Sequence, residues 1–159
     1  MRTLLITFIL FIGFSTNLIA QFRKYSNEFL NIGAGARGLA MGGAQVASVS
    51  DATAGYWNPA GLLKLEDKQF SLMHASYFAN IAQYDYAAFA MPIDNRSAVG
   101  ISLIRFGVDD ILNTTQLIDS EGNIDYNRIS KFSTADYGAT FSYARSLQVP
   151  GWQYGVNAK

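Results

Sequence analysis

From Ser133 to Arg145 the chain alternates residue by residue. Ala135, Tyr137, Ala139, Phe141 and Tyr143 fall on one side, and Asp136, Gly138, Thr140 and Ser142 fall on the other. A period of two is the mark of a pleated strand, and a tilted strand crosses a bilayer with roughly 9 to 11 residues. One side is apolar and aromatic, whereas the other is small and polar rather than charged. Trp152, Tyr154, Val156 and Ala158 repeat the pattern against Gln153, Gly155, Asn157 and Lys159. In the segment 97–106, Val99, Ile101 and Leu103 share a side, and 69–78 and 84–91 read as strands with weaker contrast.

A secreted β-sandwich also alternates, so composition has to separate the two readings. Half the residues are hydrophobic and 14% are aromatic, but only 15% are charged, against roughly 25% in an average soluble domain. A sandwich of this size normally shows more Lys and Glu on its outward faces. The expectation is an all-β chain, a transmembrane antiparallel outer-membrane β-barrel. Five strands fall short of the eight that the smallest closed bacterial barrels need, and an open edge in hydrocarbon strands backbone groups at several kcal/mol each. Residues 69–159 are therefore expected to be the first strands of an incomplete barrel, the N-terminal part of a longer product.

Three features exclude other classes. Twelve basic and twelve acidic residues give a formal net charge of zero, which argues against nucleic acid as a partner. With no cysteine, disulfide scaffolds and Cys-based metal centres are ruled out. Met1-Arg2-Thr3 precedes the apolar run from Leu4 to Phe14, and polar Ser15-Thr16-Asn17 leads to Ala20. That is a signal peptide over 1–20, too short to span hydrocarbon, with Gln21 as the new N-terminus. The expected destination is the outer membrane.

Barrels of this kind join their strands by short periplasmic turns and longer outside loops. The links 92–96 and 147–151 are short and carry turn residues. They are expected in the periplasm, and the long connection Gly107 to Ser133 outside. Within it, Ser120-Glu121-Gly122-Asn123 suits a tight turn between 116–118 and 124–126.

Residues 21–68 form a Gly/Ala-rich segment in which backbones can approach closely, as in a plug lying against a barrel wall. Ser50 or Asp51 is a candidate N-cap for a short helix over 52–57, and Pro59 forces Asn58 out of helical geometry. Gly33-x-Gly35-x-x-Gly38 matches the dinucleotide fingerprint in spelling only. Gly42-Gly43 breaks any following helix, where a βαβ unit needs a full one.

The stretches FLNIGAGARGLAMGGA and SDATAGYWNPAGL resemble the PorV/PorQ family, itself similar to FadL-type outer-membrane barrels. The strong match runs from about Phe29 to Leu65. Asn58-Pro59-Ala60-Gly61 is a signature of both groups, and Tyr56-Trp57 before it favours PorV/PorQ. The resemblance implies a large barrel with its N-terminal segment near or inside the lumen, and a role in type IX protein secretion. Asp51, Trp57, Asn58, Pro59 and Gly61 are the signature residues, expected to be structural.

No catalytic constellation is evident. His74 is the single histidine and lies in a strand, expected to be pore-facing or in an aromatic girdle. Asp109, Asp110, Asp119, Glu121 and Asp125 gather in the long connection opposite Arg128 and Lys131 without EF-hand spacing, as a solvated loop would. Arg105 and Arg145 are placed near strand ends. No cofactor, no metal and no enzymatic activity are expected. The expected partners are outer-membrane lipid and proteins of the secretion machinery or its cargo. The alternative is a FadL-like passive transporter of hydrophobic small molecules, with 33–47 as a movable hatch.

Overall fold

The computed structural model describes residues 27–118 and 121–159, so the expected signal peptide, Asp119 and Ser120 lie outside the described residues. Five strands form one antiparallel sheet in sequence order: β1 (Gln69–Tyr77), β2 (Ala82–Asp94), β3 (Ser97–Asn113), β4 (Ser130–Ser146) and β5 (Gln153–Ala158). The chain is all-β apart from short helical turns, and no described helix is long and apolar enough to cross a membrane. The sheet is open, with β1 and β5 at its edges.

Each expected strand is present, but β3 and β4 run further than the alternation indicates. Their ladder continues through Ile111↔Phe132 and Asn113↔Ser130, so the connection starts after Asn113 and not at Gly107. What hid this is a bulge between Val108 and Ile111, with Asp110 at φ 58°, which shifts the register and breaks the period. Arg105 is consequently well inside β3 rather than near a strand end. Within the connection, Ile118 bridges Ile124 and the Asp125 amide donates to the Leu117 carbonyl at 2.9 Å, a narrow version of the expected hairpin.

Residues 28–64 cover one face of the sheet with four short helical turns, Glu28–Asn31, Ala36–Ala40, Ala54–Trp57 and Pro59–Lys64. The core lies between them and the sheet, where Val49, Ala54 and Leu62 meet Tyr84, Tyr86, Ala88 and Ala144. The helix expected over 52–57 begins at Ala54. Asp51 is not its N-cap: its carboxylate accepts from the Thr53 amide at 2.8 Å and the Thr53 hydroxyl at 2.5 Å, closing an Asx turn ahead of the helix.

Candidate functional site

The glycines of the N-terminal segment surround one indole. A Cβ on Gly38 would stand 2.7 Å from Trp57 Cζ2, and one on Gly33 or Gly43 would be within 3.6 Å of the same ring. The indole N–H donates to the buried Ala34 carbonyl at 2.7 Å. Gly35 begins the turn Ala36–Ala40 at φ 82°, a left-handed conformation, and the helix ends after five residues. The glycine spacing that imitates a dinucleotide fingerprint is thus used to pack against Trp57, with no βαβ unit among the described residues. Beside it, the Tyr56 hydroxyl donates to the Leu30 carbonyl at 2.7 Å, and burial raises its phenol above the usual range.

Asn58 ties two stretches together. It is extended, at φ −158°, as the following proline requires. Its side-chain carbonyl accepts from the Ala60 amide at 3.2 Å, and its amide donates to the Val46 carbonyl at 3.1 Å. Pro59 opens the turn Pro59–Lys64. Gly61 sits so close to Val49 that a Cβ there would fall 2.8 Å from Val49 Cγ1 and 2.9 Å from its carbonyl oxygen.

The signature also forms the contact with the sheet. A Cβ on Gly155 would press on the Ala60 amide nitrogen and stand 2.7 Å from the Pro59 carbonyl carbon. Next to it, the Gly55 carbonyl accepts from Asn157 Nδ2 at 2.8 Å and from Ser142 Oγ at 3.4 Å. Gly55, Pro59 and Ala60 therefore seat the segment on β4 and β5, while Asp51 and Trp57 hold it together internally. Apart from Tyr84, Tyr86 and Ile104, small and hydroxyl residues supply the covered face: Ala88, Ala90, Ser102, Thr140, Ser142 and Ala144. Buried atoms on that face without a hydrogen-bond partner among the described residues include the Tyr84 hydroxyl and Asn157 Oδ1.

The opposite face is uncovered and apolar. Register aligns its residues in rows across the strands: Leu72–Ala87–Leu103–Ala139, then Phe70–Phe89–Ile101–Phe141–Ala158, then Met91–Val99–Tyr143–Val156. No charge interrupts them, and Leu72 is 69% exposed and Phe141 60%. A row of polar residues, His74–Asp85–Arg105–Tyr137, closes one end. His74 Nδ1 lies 2.6 Å from Asp85 Oδ1, and Arg105 reaches Asp85 Oδ2 at 3.2 Å and Asp109 at 3.5 Å. His74 thus faces away from the N-terminal segment, and its acidic partner is supplied by the neighbouring strand. At the other end, Arg145 pairs across to Tyr154.

Arg128 and Lys131 pair with Asp125 and Asp110, respectively. Among the described residues no group of three or more His, Asp or Glu could hold a metal ion. A cavity of about 440 Å³ opens between Glu28, Phe29 and Ile32 of the N-terminal segment and Tyr77, Phe78 and Phe106 of the sheet.

No protein-family model, curated protein or solved structure matches this chain.

Proposed function

We propose that this chain is a non-enzymatic outer-membrane β-barrel protein of the PorV/PorQ type, serving type IX protein secretion or the surface attachment of exported proteins. One observation carries the membrane part of this reading: the sheet is inside out by the standard of a soluble protein. Beyond the Tyr84, Tyr86 and Ile104 end, its covered face is small and hydroxylated, whereas large apolar side chains fill the uncovered face. Water would leave such a patch strongly unfavourable, at roughly 25 cal/mol per Å² of apolar surface, but lipid removes the penalty. A barrel wall has this alternation. Eight residues of β3 separate the Arg105 row from Ser97, the partner of Arg145, or about 26 Å at ~3.3 Å per residue. A tilt of about 40° brings that to about 20 Å along the bilayer normal, close to the apolar band of known barrels. The unpartnered Tyr84 hydroxyl and Asn157 Oδ1 suit a lumen that holds water. The assignment to secretion rests on the resemblance of residues 29–65. In it, the outside connection between β3 and β4 holds a protein partner, and the packed signature fixes the N-terminal segment to the wall.

The FadL-like alternative, passive passage of a hydrophobic small molecule, is favoured by the aromatic cavity beside Tyr77 and Phe106. Two experiments test the proposal together. Fractionation of cells expressing the full-length protein should recover it in the outer membrane, cleaved after Ala20 and heat-modifiable on gels. Deletion of its gene should trap secreted cargo in the periplasm. A soluble periplasmic product refutes the barrel, whereas normal secretion with lost uptake of a hydrophobic compound selects the transporter.

A further inference from the structure

The cavity of about 440 Å³ between the N-terminal segment and the sheet lies at the end where β1 turns into β2, and its size suits a small ligand. Its walls are aromatic: Phe29 from the segment and Tyr77, Phe78 and Phe106 from the sheet. Phe29 lies over Gly138, where a Cβ would come 3.6 Å from its Cε2. Tyr77 stands edge-on to the buried Tyr84, with ring centroids 6.3 Å apart. Phe78 meets Tyr77 at a tilt of 50° and is 72% exposed, so it forms the outer wall.

The charges around these rings have one sign. Glu28 lines the cavity. Asp136 borders it, as the cross-strand partner of Phe106 and two residues from Gly138, so it shares their side of the sheet. Asp136 is exposed and enters none of the ion pairs among the described residues. No Lys, Arg or His lines the cavity among the described residues. Arg105, next to Phe106 in the strand, faces the other side, where it reaches Asp85 and Asp109.

We propose that this cavity binds a small organic cation, a methylated ammonium of the choline type, with its methyl groups against the rings and its charge toward Asp136 and Glu28. Ring faces carry negative potential, and aromatic cages use it to hold quaternary ammonium groups. A carboxylate ligand would meet two like charges and no guanidinium. A neutral hydrocarbon would fill the space but leave the acidic rim without a counter-charge. The proposal goes beyond both readings above, since the site is formed whether the chain serves secretion or transport.

The test titrates three probes into the full-length protein in micelles: choline, its neutral isostere 3,3-dimethylbutan-1-ol, and the anion 3,3-dimethylbutanoate. Saturation-transfer NMR of the probe methyl groups, corrected against protein-free micelles, reads the affinities. The wild type should bind choline at least fivefold more tightly than the neutral isostere, and the anion more weakly than either. Phe78→Leu, which keeps apolar bulk but removes a ring, should weaken choline at least threefold and leave the isostere unchanged. Asp136→Asn should do the same. Both residues are exposed, and far-ultraviolet circular dichroism reports that each variant is folded. Equal affinity for choline and its isostere, tighter binding of the anion, binding of none of the three, or unchanged choline affinity in either folded variant overturns the proposal. Heat-modifiable migration on gels tests the barrel reading separately.

Discussion

Gly155 and Gly100 both face the N-terminal segment from the sheet, and replacing each with alanine should have opposite effects. At Gly155 the new methyl meets backbone: the Ala60 amide nitrogen, the Pro59 carbonyl carbon at 2.7 Å and the Pro59 ring at 2.8 Å. None of these can rotate away, so the turn Pro59–Lys64 must lift from β5. At Gly100 the nearest atoms, two Leu62 methyls and the Phe89 carbonyl oxygen, are all 3.5 Å distant, which is ordinary contact. Overpacking typically costs about 1–3 kcal/mol, and more where the neighbour is rigid. Exchanging glycine for alanine inside a strand returns about 0.5–1 kcal/mol. Gly155→Ala should therefore destabilise by about 2 kcal/mol, while Gly100→Ala is neutral or mildly stabilising. Urea titration of the full-length protein in micelles, followed by far-ultraviolet circular dichroism, reads the difference. With a slope of about 2 kcal/mol per molar urea, the two midpoints should separate by about 1 M or more. Coincident midpoints would mean that the signature does not bear on β5, and the packing argument would fail.

Trp57→Phe should cost about 1–3 kcal/mol in the same titration, because the buried Ala34 carbonyl loses its donor. Asn58→Ala should cost about 1–2 kcal/mol. Asn58→Asp should cost less, since it still accepts from Ala60 although it sets a carboxylate oxygen toward the Val46 carbonyl; equal losses for the two would discredit the Ala60 contact. The buried Tyr56 phenol stays neutral to higher pH folded than unfolded, so its contribution to stability is complete below pH 10 and declines as pH rises through the raised value. Stability curves between pH 9 and pH 12 should accordingly fall less steeply for Tyr56→Phe than for wild type. If the proposed barrel topology holds, cysteine at Asn123 should react with an impermeant thiol reagent on intact cells and cysteine at Asn95 should not; the converse labelling would refute that topology.

What could be read from the sequence was what depends on neighbours in the chain. The period-two rows and the short links located β1 to β5, since strand pleat and turn chemistry are local. Pro59 predicted the extended Asn58 for the same reason. The bulge at Asp109 and Asp110 was missed because a single inserted residue reverses the side-chain parity without changing composition. Equally hidden was the row His74–Asp85–Arg105–Tyr137: its members come from four strands, and only register brings them side by side. The signature around Asn58 stood out as a run of residues, but its work is done with partners far away. Gly38 and Gly43 make sense only around Trp57, and Gly155 only beneath Pro59.

That distance in sequence sets an order of events. The Gly55 carbonyl receives its donors from Ser142 and Asn157, which are 87 and 102 positions downstream of it. Contacts of such span close slowly, because the intervening loop entropy must be lost before they form. When the N-terminal segment is first made, the strands it packs on do not yet exist. It can only settle after β4 and β5 have paired, so its docking reports that the strands following it have reached their places. A chain stalled at β3 would leave the Gly55 carbonyl without its two donors and Pro59 without Gly155 beneath it, so the N-terminal segment would be open to proteolysis, a means of recognising unfinished molecules.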